Sequence, residues 1–149
     1  MIIVQDAAFD TGAEIKRLTD NNTQIGAVVS FTGLVRDFND GANVQSLTLE
    51  HYPGMTEKEL EKIEALALNK WDLTDSLIIH RYGKMELGEA IVLVVTASAH
   101  RSDAFEAAAF LMDWLKTKAP FWKLEENSSG SENWVKERSS DIDAAKKWD

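Results

Sequence analysis

Between residues 98 and 124, four cations, Arg101, Lys116, Lys118 and Lys123, stand against the carboxylates Asp103, Glu106 and Asp113. The whole chain carries a formal net charge of -9, so this basic excess is local. His100 and Arg101 fall between a strand-like run and a helix start. Free backbone N–H groups and the helix dipole there favour an anion such as phosphate, and the guanidinium adds a two-pronged donor. The same spacing suits a solvated arginine beside a helix capped by Ser102 or Asp103, and spacing alone leaves both readings open. Lys116 belongs to the last helical turn, where a cation offsets the dipole by about 0.3–1 kcal/mol. Lys123 alternates with Trp122 and Leu124, so if those two face the core it points outward or into a cleft. A short span with a proline corner separates the two lysines, which lets both ammonium groups converge on one site. Partly desolvated lysines in such a place serve as acid, base or nucleophile. Arg36, just after Thr32-Gly33, either reaches the same pocket or remains a surface charge.

Other chemistries are excluded or left without residues. The chain has no cysteine, which removes disulfides, thiolate nucleophiles and sulfur ligands for zinc or iron. His51, His80 and His100 are far apart and show no metal-ligand spacing, so neither a metal nor a cofactor is expected. His51 and His80 lie in strand-like runs and read as structural. No nucleophile elbow, P-loop or dinucleotide fingerprint occurs. The acidic balance argues against a duplex nucleic-acid partner and an anionic membrane surface. The longest strongly apolar run, Ala90–Ala97, falls far short of the roughly 20 residues of a spanning helix. The start, MIIVQDAAFD, does not read as a secretory signal, and a cytoplasmic location is the expectation.

The elements that must position these side chains follow from periodicity. A chain of 149 residues with 44% hydrophobic residues and two prolines fits one domain covering 1–149. Strands are predicted over Met1–Gln5, Gln24–Thr32, Val44–Tyr52, Ser76–Tyr82 and Glu89–Ala99. The last two are expected to form a hairpin with an irregular tip between Gly83 and Gly88. Leu34–Gly41 reads as a loop, with Asn39-Asp40-Gly41 as its turn. Helices are predicted over Thr11–Asn22, with Ile15 and Leu18 on one face, and from Thr56 to about Trp71. In the second, Thr56 and Glu59 form a capping box, and Leu60, Ile63, Leu66 and Ala67 form the core stripe. Another helix starts at Ser102 or Asp103 and ends near Lys118, because Pro120 restricts the residue before it. Phe121–Glu125 and Asn133–Glu137 are predicted strands around the turn NSSGSE, and Ser140–Trp148 is a terminal helix. The five tryptophans read as packing or interface residues. Runs of strands between helices indicate an α+β domain.

Several blocks in order resemble one known family: FTGLVRDFNDG at 31–41, LEHYPGM at 49–55, HRYGKMELGE at 80–89, SAHRSDAFEAA at 98–108 and KTKAPFWKLE at 116–125. They are similar to the large, catalytic subunit of molybdopterin synthase across nearly the whole chain. The resemblance implies an α/β-hammerhead domain with an additional small β subdomain, forming a homodimer within a heterotetramer. It also implies a small ubiquitin-like partner whose C-terminal Gly-Gly tail carries a thiocarboxylate. That tail donates sulfur to cyclic pyranopterin monophosphate, and two transfers yield the dithiolene of molybdopterin. A cysteine-free sulfurtransferase subunit agrees with sulfur arriving on another protein. Residue by residue, the family's substrate positions fall on Leu34, Val35, Arg36, His100, Arg101, Lys116, Lys123, Leu124 and Glu125. Arg138, in WVKERSSD, resembles a further basic position thought to reach the site from the neighbouring subunit. Lys116 and Lys123 match the family's two key lysines, Lys116 being the first candidate for catalysis. Leu124 departs from the pattern, since relatives often carry a basic residue there. The alternative that the residues themselves leave open is a non-catalytic module binding a phosphorylated metabolite or a peptide tail.

Overall fold

The computed structural model describes residues 1–39, 42–127, 130, 132–135 and 139–149, with 38, 39, 42, 43 and 133–135 described by backbone alone. In chain order the elements are β1 (Ile2–Gln5), α1 (Thr11–Thr19), β2 (Ala27–Leu34), β3 (Phe38–Asn39), β4 (Ala42–His51), α2 (Met55–Lys70), β5 (Asp75–Arg81), β6 (Gly83–Glu86), β7 (Ala90–Ser98), α3 (Arg101–Lys118), β8 (Phe121–Asn127), β9 (Glu132–Val135) and α4 (Ser139–Lys146).

The apolar β5 and β7 form the centre of a four-stranded sheet ordered β1-β5-β7-β2. β1 joins β5 in parallel, and the other two pairings are antiparallel. Strand alternation sorts the side chains onto two covered faces. Leu77, Ile79, Leu93 and Val95 pack with Leu18 of α1 on one face. Ile78, Val92 and Val94 pack with Leu60, Ile63 and Ala67 of α2 and with Ala107, Phe110, Leu111 and Leu115 of α3 on the other. Burial of each large aliphatic side chain in such a core stabilises by about 1.5–3 kcal/mol. A second sheet runs β3-β4-β8-β9 with β6 on β4, over a small core of Val35, Leu47, Leu49 and Met85. Together they give the expected α+β architecture, an α/β-hammerhead domain with an added β subdomain.

The connection between β5 and β7 differs from the expected hairpin tip. The two strands do pair, Ile79 opposite Leu93, but the intervening chain crosses to the second sheet, where Met85 of β6 lies opposite Leu47. Gly83 and Gly88 bound this excursion with φ of 86° and 82°, a left-handed region that only glycine enters without strain. β2 runs on to Leu34, and β3 pairs with β4, so strand occupies part of the predicted loop. Asp40 and Gly41 of the predicted turn lie outside the described residues, as do Ser128, Ser129 and Ser131 of NSSGSE and residues 136–137 of the last predicted strand.

Helix starts are the other correction. Gly54, not Thr56, caps α2, and the Glu57 carboxylate accepts its N–H at 2.6 Å. Thr56 is fully buried; its hydroxyl accepts the Tyr52 N–H at 3.0 Å and donates to the Pro120 carbonyl at 3.2 Å. Leu66 is 55% exposed rather than on the core stripe, because it sits one helical step of about 100° from Ala67. His100 caps α3. The carboxylates expected near that cap are used elsewhere: Asp103 accepts the Asp72 N–H at 3.1 Å, and Glu106 accepts the Trp71 indole N–H at 2.8 Å. Trp71 and Trp148 pack edge-on against Phe110, as packing residues do, whereas Trp122 is 43% exposed and rests on Tyr52.

Candidate active site

α3 ends where Ala119 turns extended before Pro120, and Phe121 begins β8 at once. The Thr56 hydroxyl holds the corner through the Pro120 carbonyl. Leu115 is anchored in the core, which turns the next residue, Lys116, out from the helix. Along β8, period-two alternation sends Phe121, Lys123 and Glu125 to one side, and all three line a cavity of about 580 Å³ that Lys116 also lines. The two lysines therefore meet the same space from different layers, Lys116 from the helix over the first sheet and Lys123 from the second sheet.

The opposite wall comes from the end of β2 and the segment after it, Leu34, Val35 and Arg36. Val35 is pinned there: its N–H donates to the Glu89 carbonyl at 3.0 Å, and its own carbonyl accepts the Gly88 N–H at 2.9 Å. Gly33 permits close approach of β2 to β7, since a Cβ at that position would stand 2.8 Å from Val92 Cγ1. Lys116 is exposed, and among the described residues its ammonium has no ion pair or hydrogen bond with another side chain. Lys118, two residues further, lies over the Trp114 ring at 5.4 Å and does not line the cavity. Three cationic side chains, Arg36, Lys116 and Lys123, thus line one partly enclosed space beside the carboxylates of Glu125 and Asp141, an arrangement suited to an anion that also offers hydrogen-bond donors.

His80, read as structural from the sequence, lines this cavity as well. It follows Ile78 by two positions on β5 and so shares that residue's face of the sheet. Its ring stacks on Phe121 at 3.7 Å between centroids and 15° between planes, and Nδ1 lies 3.0 Å from the Arg81 carbonyl oxygen. Burial is the main force that pushes its pKa down to about 4; the Arg81 carbonyl opposes this, and the charges of Lys123, Lys116 and His51 add to it. The imidazole is neutral at physiological pH. Ser140 and Asp141 of α4 complete the lining. The sequence offers a sign of His80 in its parity with Ile78, but none of the α4 pair.

Leu34, Val35, Arg36, Lys116, Lys123 and Glu125 are thus brought together. Leu124 lies on the other side of β8, away from the cavity. Trp122 shares that side but is exposed, so Lys123 enters the cleft without Trp122 facing the core. His100 and Arg101 are exposed at the first turn of α3 and line no part of the cavity. They stand about 22 Å along the helix from Lys116, at 1.5 Å per residue. Arg138 lies outside the described residues.

No helix among the described residues is long and apolar enough to cross a membrane. The family model described as MoaE protein matches residues 4–118. A molybdopterin synthase catalytic subunit from Pseudomonas aeruginosa is 55% identical over 148 residues, covering 99% of this chain and 98% of that relative. A solved molybdopterin biosynthesis MoaE protein from Burkholderia ambifaria superposes with a TM-score of 0.84 at 46% identity, over 99% of this chain and 97% of the other. A chain from the complex of subunits 1 and 2 of molybdopterin-converting factor from Helicobacter pylori gives a TM-score of 0.76 at 25% identity, over 93% and 92%. With matches that run along nearly its full length, in sequence and in fold, this chain belongs to the MoaE family of molybdopterin synthase catalytic subunits.

Proposed function

We propose that this chain is the sulfurtransferase subunit of a molybdopterin synthase, acting in the cytoplasm on cyclic pyranopterin monophosphate. The observation that carries the reading is the convergence of Arg36, Lys116 and Lys123 on one cavity. Its volume falls within the roughly 300–1,000 Å³ usual for small-molecule sites. The cations hold the phosphate and the charge that develops as sulfur attacks the pterin, in a partly enclosed space where such contacts are stronger than in water. Lys116, with no side-chain partner among the described residues, is the first choice for proton transfer or charge stabilisation, and Lys123 supports it. Leu34, Val35 and Glu125 shape the remaining contacts.

Sulfur arrives as the thiocarboxylate on the Gly-Gly tail of a small ubiquitin-like partner, which suits a chain without cysteine. The two-subunit complex named for the Helicobacter relative supports such a partner. His100 and Arg101 are too far along α3 to serve the cavity of their own chain. A homodimer within the heterotetramer brings the α3 start of the neighbouring copy to that cavity, and Arg138 is assigned to the same inter-subunit contribution.

The test is turnover of purified Lys116→Ala and Lys123→Ala with thiocarboxylated partner and pterin substrate, Lys118→Ala serving as control. Loss of a positioned acid, base or charge-stabilising group lowers the rate by roughly 10²–10⁴-fold, and the control stays near normal. Near-normal turnover in both cavity variants would defeat the assignment.

A further inference from the structure

We propose that His80 is a substrate-positioning residue whose Nε2 lone pair accepts a ring N–H of the bound heterocycle, while Arg36, Lys116 and Lys123 take its anionic part. This rests on the pterin reading above and adds a contact to the heterocycle end of the same site.

Three features fix the imidazole. Its plane is set by the stack on Phe121, and its position by β5, where it pairs with Val4 on one side and Val92 on the other. Its tautomer is set by the Arg81 carbonyl. A carbonyl oxygen only accepts, so the 3.0 Å contact requires the proton on Nδ1. In the neutral ring Nε2 is then a bare acceptor. The groups that face it keep the ring neutral: Lys116 from α3, Lys123 from β8 and His51 from β4 would each repel a second positive charge. The flanking Val4 and Val92 bring no charge.

The cavity's other polar side chains make this acceptor distinctive. Arg36, Lys116 and Lys123 only donate, Glu125 and Asp141 accept but carry negative charge, and the hydroxyls of Thr32 and Ser140 rotate between donor and acceptor roles, so Nε2 is the neutral side-chain acceptor of this lining that is held in one direction and cannot donate. A heterocycle with neutral ring N–H groups and an attached phosphate presents the complementary set. A neutral acceptor meets the ring without repelling the phosphate and without a second carboxylate to desolvate. A purely structural ring would need only the stack on Phe121 and the Nδ1–H bond to the Arg81 carbonyl, neither of which uses Nε2.

His80→Phe keeps the stack and removes Nε2 together with the Nδ1–H bond to the Arg81 carbonyl, whereas His80→Gln restores an acceptor near Nε2. Both are assayed with thiocarboxylated partner, varying pterin and partner concentrations separately. The expected result for His80→Phe is a KM for the pterin raised about 10–100-fold, as for one lost hydrogen bond to substrate, with the KM for the partner unchanged. His80→Gln regains most of that loss. An unchanged pterin KM in His80→Phe overturns the proposal, as does an equal rise in both KM values or a glutamine variant no better than phenylalanine. Thermal melting and partner binding establish that each variant is folded. Should His80→Phe fail to fold, ¹⁵N-histidine NMR of the wild type decides: Nε2 is unprotonated and its resonance moves on adding the pterin, whereas a protonated or unresponsive Nε2 overturns the assignment. A wild-type protein without turnover would defeat the pterin reading itself, and the His80 assignment with it. Normal wild-type turnover beside an indifferent His80→Phe defeats only the latter.

Discussion

Arg101 and Lys116 are carried by one helix, yet they lie about 22 Å apart along its axis. A molecule held in a cavity of about 580 Å³ does not touch both. If both act on one substrate, each must act in a site shared by two copies, and that makes a quantitative prediction. Arg101→Ala and Lys116→Ala are made separately, and each alone is expected to lose at least about 100-fold in product formation. When equal amounts are mixed and allowed to exchange subunits, about half of the dimers are mixed. In a mixed dimer one of the two sites pairs an intact Lys116 with an intact Arg101, so the mixture regains about a quarter of wild-type activity. The converse mixture sharpens the test. Wild type exchanged with an equal amount of the double variant retains about half of its original activity if the residues act across copies, and about all of it if they act within one chain. The assay is formation of dithiolene product with excess thiocarboxylated partner. A first mixture no more active than its parents, or an Arg101→Ala variant with normal turnover, would refute the shared site.

Two further outcomes follow from single contacts. Thr56→Val keeps the buried shape but strands the Tyr52 N–H and the Pro120 carbonyl, which costs about 1–3 kcal/mol for each group; Thr56→Ser keeps both bonds and loses only a methyl, about 1 kcal/mol. Equal destabilisation of the two variants in urea denaturation would refute the role given to the hydroxyl. His80 makes stability depend on pH. Its folded pKa of about 4 lies below the ordinary imidazole value of 6.5, so the unfolded chain binds the extra proton between those values. The contribution is fully present above pH 6.5 and is lost progressively as pH falls towards 4, amounting to about 2 kcal/mol at about pH 5. Wild type should lose that much more stability than His80→Phe between neutral and about pH 5, and parallel pH profiles would contradict it.

The pairing of Lys116 and Lys123 is legible in the sequence because Pro120 ends the helix and strand parity fixes which β8 residues turn together. Parity also separates Glu125 from Leu124. Spacing along one long helix already keeps His100 and Arg101 away from Lys116; only the resemblance places all of them in one site, which is why a contribution from a second copy is proposed. His80 was hidden because parity shows which residues share its face but not that this face borders a cavity, a matter of how the two sheets meet. The helix caps misled for a different reason. A serine or threonine three residues before a glutamate occurs at Thr56 as well as at true caps, and the glycine φ of 84° at Gly54 decided the start. The crossing of β6 to the second sheet depends on the partner strand, and nothing local to Gly83–Glu86 announces it.

The cavity walls come from β2, β4, β5, β7, α3, β8 and α4, so no contiguous segment of the chain can build them. Strand β8 finds its partner β4 only across α2, β5, β6, β7 and α3, and such distant closures are slow steps in folding. A chain that has formed the first sheet but not this pairing presents Lys116 without Lys123 opposite. Competence to hold the substrate therefore arises late in folding, and a molecule that binds the cavity stabilises the completed fold rather than any part of it.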